Sequence, residues 1–594
     1  MRHCFLPFFC LLICLVACKK SPEQGSGTPS EAPAKFTDFT QEFLDTLWSY
    51  NPGWASYEGN TRYDSLLFVP DEAGTQKKVA AYQNLQVRLA EFDTAGWETS
   101  AKMDYAMMLN QLESGVWYNT TFDSRKWNPS SYNPGSRADR ILKNVRRPLD
   151  DRLRVISAYL AKIPAYMAAG QANLDRPTLE HTQLGIVQVA GSFEAFKTSL
   201  PDSLEASDLT PGEKELFFNR LEAAFESVKN YHSHLRQVVL PAVKADPNRR
   251  SFRIGEELFK QKFELDLQAA LSAEEVVAKA RARKAYLHQK MAEEARKLWP
   301  IYGPGMAMPA DSMEMIRLVL DAVSKQHVKP EAFVSTIRGQ IQALEKFVRN
   351  KDLLTLDPEK PLVVRETPKY MRGGGAGASV SSPGPYDKGG NTYYNVTPLD
   401  DYTPEQAESY LREYNDFTLQ ILNIHEAVPG HYVQLVYSNE SPSIIKSVLG
   451  NGAMVEGWAV YSELMMMEAG YGADQPELWL MYYKWNLRAV LNTLLDYAVH
   501  VEGIEEADAL NMLIEEGFQE EQEAKNKWRR ARLSQVQLCS YYTGFAEILD
   551  LRETLQEKSG TGFDLKAFHE QFLSYGSAPV KLIRQAMEKG RSKL

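Results

Sequence analysis

From residue 36 to about residue 352 the apolar positions recur at helical steps. Phe39, Phe43, Leu44 and Leu47 follow this spacing, as do Phe218, Leu221, Phe225 and Val228. Steps of three and four residues gather side chains on one side of a helix, so the pattern predicts helices packed on helices. Asn51-Pro52-Gly53 and Trp299-Pro300 break the pattern. No fixed period recurs, which argues against a helical solenoid. Leu362-Val363-Val364 and Thr392-Tyr393-Tyr394-Asn395-Val396 are β-branched and aromatic, and they predict two strands of a small sheet. Between them, residues 371–390 are rich in Gly, Ser and Pro and read as a mobile loop near a site, with a disordered connector as the alternative. The edge of such a sheet could hold an extended peptide through main-chain hydrogen bonds; a purely structural pair of strands is the alternative.

Helical spacing returns after residue 400. Thr403-Pro404 supplies a cap and a first turn. Leu411, Tyr414, Thr418, Ile421 and His425 continue in register, predicting one long helix that ends with His425 on its buried face. A second helix follows Asn451-Gly452-Ala453 and closes at Gly470, with Glu456 and Glu463 seven apart on an otherwise apolar face. A third runs from Leu487-Arg488 through Asp496 to His500. A fourth opens near Gln537 and carries Tyr541, Tyr542, Gly544 and Arg552.

The chemistry concentrates at His425-Glu426-Ala427-Val428-Pro429-Gly430-His431. In His-Glu-x-x-His the two imidazoles sit four apart on one helix and can share a metal. Here they are six apart, and on an unbroken helix they would diverge by roughly 120°. A local bulge at Pro429-Gly430 could bring them back together, since Pro429 has no amide hydrogen and Gly430 tolerates unusual dihedrals. Alternatively, Pro429 ends a helix and the histidines are unrelated. Glu456 and Glu463 bear on that choice, because carboxylates on a buried face need a cation or a donor. Zn2+ on two histidines and a glutamate would leave a fourth position for water, as in catalytic zinc sites. Asp496 and His500, four apart, could orient a metal ligand or donate to an oxyanion, although an ordinary helical pair has the same spacing. A phenol near zinc could also bond a tetrahedral intermediate, although tyrosines are commonly packing groups.

The start of the chain sets its expected address. A charge at Arg2, an apolar run from Phe5 to Ala17 and then Cys18-Lys19-Lys20 predict a secretory signal. Leu15-Val16-Ala17-Cys18 resembles a bacterial lipobox, with Cys18 as the acylated residue. This predicts an exported lipoprotein, anchored to a membrane through that lipid on the periplasmic face or the cell surface. Residues 1–18 are then the signal peptide and 19–35 a flexible tether. Residues 36–352 form an N-terminal helical region, and 353–594 the catalytic region. Four of the five cysteines fall in the leader, leaving Cys539 without a disulfide partner. A net charge of −10 and the lack of a long basic run argue against nucleic acid as a partner.

These motifs, in order, resemble the bacterial domain-of-unknown-function family 885. They are the His425–His431 stretch with Gln434; Glu456-Gly457-Trp458-Ala459 with Tyr461 and Glu463; Arg488, Asp496 and His500; and Ser540-Tyr541 with Gly544 and Arg552. Asn51-Pro52 with Gly59 and the stretch 390–395 extend the likeness over nearly the whole mature chain. That family is similar to helical zinc peptidases of the gluzincin type. The resemblance implies a mainly α, two-lobed clam around a deep cleft, with short peptides as substrate. It implies His425, His431 and Glu456 as zinc ligands and Glu426 as general base, and it places Glu463, Asp496, His500 and Tyr541 as supporting or transition-state groups. Two positions depart from the pattern. Val460 stands where those peptidases often carry an acidic residue, and Gln535-Val536-Gln537 stands where the family tends to have Pro-Gly-Gln. Two rival expectations are a helical solute- or glycan-binding lipoprotein without catalysis and a zinc hydrolase of non-peptide amides.

Overall fold

The structure is a computed structural model, and it describes residues 34–303, 305–367, 378–387, 389–400 and 402–591. Cys18 and the signal peptide lie outside these residues. Ala34 and Lys35, the last two residues of the expected tether, belong to the first helix, Ala34–Tyr50, and the rest of that stretch lies outside the described residues.

The fold is mainly α, with one small sheet. Several helices start where the sequence supplies a cap. Thr210 with Glu213, Ser272 with Glu275 and Thr403 with Gln406 form reciprocal capping boxes that satisfy donors left over in the first turn. The buried face of helix Pro211–His234 is Phe217, Leu221, Ala224 and Val228. It is offset from the face read off the sequence, and Phe218 is 49% exposed.

The long helix expected to end at His425 is two helices, Pro404–Glu413 and Thr418–Glu426. Asn415 makes the break. Its Oδ1 accepts from the amides of Phe417 and Thr418, a local bond that competes with helix continuation.

The sheet has three strands: β1 (Leu362–Glu366), β2 (Ala378–Ser381) and β3 (Thr392–Val396), in the order β1-β3-β2. β1 runs parallel to β3 and β2 antiparallel to it. The stretch expected as a loop therefore contributes an edge strand, and its residues 371–377 and 388 lie outside the described residues. Tyr394 seats β3 on the His425 helix, its hydroxyl donating to Asn423 Oδ1 at 2.8 Å.

The apolar core does not part at residue 352. One cluster joins Phe36 through Leu112 to Phe259 through Met587. A second, from Tyr132 to Val243, forms its own body. Between them opens a cleft of about 1280 Å³. Leu184 and Gln188 of helix Leu179–Gly191 stand on one side, and the His425, Glu456 and Tyr541 helices on the other.

Candidate metal centre

The helix bearing His425 and Glu426 ends at Glu426, and a new helix starts at His431. The connection is not a bulge within one continuous helix but a reversal between two, containing a cis Val428-Pro429 bond. The Gly430 amide donates to the Ile424 carbonyl at 2.9 Å, folding the chain back on the preceding turn. A Cβ on Gly430 would lie 1.8 Å from the His425 carbonyl oxygen, so only glycine fits. Trp458, two residues along from Glu456, donates its indole N–H to the Pro429 carbonyl at 2.9 Å and ties the reversal to the Glu456 helix. Helix termination and convergence of the histidines thus occur together: the ring centroids of His425 and His431 are 4.8 Å apart.

Helix Gly452–Glu468 begins at Asn451, whose side chain accepts from the Met454 amide. It brings Glu456 Oε2 to 3.4 Å from His431 Nε2 and 3.8 Å from His425 Nε2. Two atoms bound tetrahedrally to one zinc ion at 2.0–2.1 Å stand about 3.4 Å apart, so these spacings fit a shared ion. One turn pair further on, the fully buried Glu463 takes the other side of His425. The Nδ1 of His425 donates to Glu463 Oε1 at 2.7 Å, leaving Nε2 directed at Glu456. Trp485 Nε1 donates to the same Glu463 oxygen at 3.1 Å. A carboxylate fixing a histidine's tautomer is the support that metal-ligating imidazoles generally have. His431 lacks it, its buried Nδ1 having no hydrogen-bond partner among the described residues.

A Glu426 oxygen joins ring nitrogens of both histidines within 4.8 Å, so two carboxylates compete for the third ligand position. Glu456 is the nearer, and it is held well below the usual carboxylate range: burial opposes ionisation, but the attraction of the adjacent His425 and His431 rings outweighs it. Glu426 goes the other way, raised mainly by burial and only partly offset by the two imidazoles. Burial likewise works against charging His425, yet Glu456 and Glu463 push it up to about 10. Three carboxylates in one buried cluster draw positive charge to it, which a protonated His425 supplies in part and a bound cation would supply more fully. Among the described residues, the buried Glu456 Oε2 has no hydrogen-bond donor. The donor set fits zinc.

Tyr541 also faces the cleft. Its helix, Ser540–Ser559, approaches the Glu456 helix closely because Gly457 and Gly544 meet at the crossing. A Cβ on Gly544 would lie 1.7 Å from the Ala453 carbonyl oxygen. The phenol accepts from Arg530 Nη2 at 3.1 Å, and burial, with the Glu456 charge adding to it, raises its pKa.

Two expected site residues serve elsewhere. His500 does not line the cleft; it is 2% exposed, and its Nε2 lies 2.9 Å from the carbonyls of both Ala531 and Ser534. Asp496 does not touch a candidate ligand, and its Oδ2 accepts from the Leu538 amide at 3.0 Å. The face these two share points at the end of helix Glu521–Leu533 and the turn after it, so they hold the segment that leads to Tyr541. Residues not singled out in the sequence complete the cleft: Trp485, Asn492 and Arg530, with Ala378, Ser379 and Val380 of β2. Trp485, Arg488 and Asn492 follow steps of three and four on one helix, a signal that was present but looks the same as a packing stripe.

Over residues 52–587 the sequence matches the family described as "Bacterial protein of unknown function (DUF885)". The chain belongs to this family. A solved structure from Shewanella oneidensis, described as a "putative lipoprotein of unknown function", is 50% identical to it. That likeness covers 94% of this chain and 100% of the other, with a TM-score of 0.86. A second, the "putative lipoprotein from Colwellia psychrerythraea", shares 16% identity and the fold, with a TM-score of 0.77 over 94% of this chain and 99% of that one. No curated protein matches the sequence. No described helix is long and apolar enough to cross a membrane.

Proposed function

We propose that this DUF885 protein is an exported, lipid-anchored zinc peptidase acting on short peptides. The observation that carries the reading is the approach of His425 Nε2 and His431 Nε2 to Glu456 Oε2, with Glu426 beside them and a deep cleft in front. Zinc held by His425, His431 and Glu456 would supply a Lewis acid that polarises a carbonyl and acidifies water. Glu426, beside both imidazoles in the cleft wall and with its carboxyl raised by burial, takes the proton of the attacking water and passes it to the leaving amine. The Tyr541 hydroxyl, oriented by Arg530, donates to the oxyanion that develops on the peptide carbonyl. Glu463 holds His425 in the tautomer that leaves Nε2 free to bind. β2, an edge strand that lines the cleft, offers main-chain groups to an extended peptide. The lipid anchor is supported by the Leu15–Cys18 tetrad and by the description of the relative that is 50% identical.

The test is Glu426→Gln in purified protein, with metal content read by mass spectrometry and peptide cleavage by chromatography. Stoichiometric zinc with cleavage abolished is the expected result, and His431→Ala should lose the metal. Cleavage that survives Glu426→Gln refutes the mechanism. Wild-type protein that takes up no metal refutes the site.

A further inference from the structure

A second cavity, of about 370 Å³, shares no lining residue with the cleft. Its size falls within the range of small-molecule sites. It lies between helix Glu72–Leu89, helix Thr99–Thr120, the end of helix Glu256–Leu267 and the segment Leu449–Asn451 that leads into the Glu456 helix.

Its walls are polar in a specific way. Helix Thr99–Thr120 turns Asn110, Ser114, Tyr118 and Asn119 toward the space, an inward polar stripe where a packing helix would carry apolar residues. Lys78 also lines it. The ammonium donates to Asn51 Oδ1 at 3.1 Å, and its nitrogen sits over the Phe68 and Tyr82 rings at 5.5 and 5.7 Å. No carboxylate among the described residues lies within ion-pair distance of it. Burial, with the nearby Arg125 as second cause, pushes Lys78 down to about 8, which leaves it largely charged at neutral pH.

The one carboxylate on the wall, Asp266, is already taken by the Lys262 ammonium and the Tyr118 hydroxyl. Asn51 cannot neutralise a charge, and its own amide nitrogen is fixed by the Leu47 carbonyl and the Tyr82 hydroxyl. The cavity thus holds a cation met by one amide oxygen and two ring faces but by no carboxylate among the described residues, and an entering anion would supply the missing counter-charge. Asn110 and Asn119 show the opposite polarity. Each amide group donates one hydrogen to a backbone carbonyl, of Leu265 and of Gly115, and neither side-chain oxygen accepts a hydrogen bond from another described residue.

We propose that this cavity is a second ligand site, separate from the cleft, for a small molecule carrying both a carboxylate and an ammonium, of amino-acid to dipeptide size. The carboxylate rests on Lys78, and the ammonium is received by the carbonyl oxygens of Asn110 and Asn119. The site stands whether or not the cleft is a peptidase.

Calorimetric titration of the full mature chain tests it, with alanine and alanylalanine as probes and alanine amide, N-acetylalanine and acetate as partial probes. Glu426→Gln serves as the background in which the dipeptide is not turned over. Lys78→Met should weaken binding by about ten- to a hundredfold, the loss of one charge-assisted hydrogen bond. Ser114→Leu, which narrows the cavity and leaves Lys78 in place, should weaken it as well, and each partial probe should bind less well than alanine. Without ligand, Lys78→Met should melt no lower than wild type, because it removes a half-buried charge that no carboxylate among the described residues pairs. Unchanged affinity in both variants overturns the proposal, as does the absence of binding by either full probe at millimolar concentration. Equal binding of acetate and alanine overturns the ammonium half of the site.

Discussion

Gly430→Ala tests the link between local sterics and the metal centre. The added methyl would sit 1.8 Å from the His425 carbonyl oxygen, 2.4 Å from that of Ile424 and 2.5 Å from the His425 carbonyl carbon. All three are backbone atoms, so no rotamer relieves the clash, and the reversal must open by about 1 Å, a misplacement that in a catalytic site costs on the order of a hundredfold. The strain should also cost about 1–3 kcal/mol of stability or more, as overpacking does. Since the same carbonyl belongs to one candidate ligand and the next residue is the other, the opening separates His425 from His431 directly. The assay is zinc retention against a chelator series together with the thermal midpoint. Gly452→Ala is the control, for its added methyl meets nothing within 4 Å at the start of the Glu456 helix. The expected outcome is weakened zinc binding and a lowered midpoint in Gly430→Ala, with both near wild type in Gly452→Ala. If Gly430→Ala binds zinc stoichiometrically and melts with the control, the reversal does not position the ligands and the reasoning fails.

Glu463→Ala should lower zinc affinity by about ten- to a hundredfold through loss of the bond that orients His425, read by chelator competition; unchanged affinity would remove Glu463 from the site. Val536, buried at φ +69°, adopts a left-handed conformation that costs a β-branched residue about 1–2 kcal/mol. Both Val536→Ala and Val536→Gly lose its packing, but only glycine relieves the backbone. Urea denaturation should therefore find the glycine variant more stable than the alanine one, the reverse of an ordinary position, and an alanine advantage would contradict the strain. Asp496 is pushed up to about 7 by burial, against the opposing backbone N–H bonds of Val536 and Leu538. Its folded form holds a proton that the unfolded chain releases near pH 4, so its contribution is fully present below that and is lost as the pH rises to about 7. Relative to wild type, Asp496→Asn should gain stability between pH 4 and 7, by roughly 4 kcal/mol at most. Denaturant midpoints at pH 5 and pH 8 that differ from wild type by the same amount would exclude this.

The helical class, the β character of Leu362–Val364 and Thr392–Val396, and the cap at Thr403 were all readable because each is a local preference expressed at fixed spacing. The failures are local as well. Asn415 broke a helix whose apolar register ran straight through it, since one side-chain oxygen satisfying two amides does not disturb a hydrophobic pattern. β2 was missed because Ala378–Ser381 lacks an aromatic and carries a single β-branched residue; its pairing with β3 supplies what its sequence does not.

For the site, the sequence by itself determined which groups are available: two histidines flanking Pro429-Gly430, and carboxylates at Glu426, Glu456 and Glu463 that a buried helix face could not carry unaccompanied. It could not determine how those groups meet, because His425, Glu456 and Tyr541 lie on separate helices and distances between helices are set by packing. The tertiary structure decided that Gly430 folds against the His425 carbonyl and that Gly457 and Gly544 let two helices approach closely. It also decided that Glu463 is the residue bonded to His425, while Asp496 and His500, with equally suggestive spacing, support the turn before Tyr541. The reason is geometric: spacing along a helix fixes which side chains share a face, and only the neighbouring element fixes what that face meets.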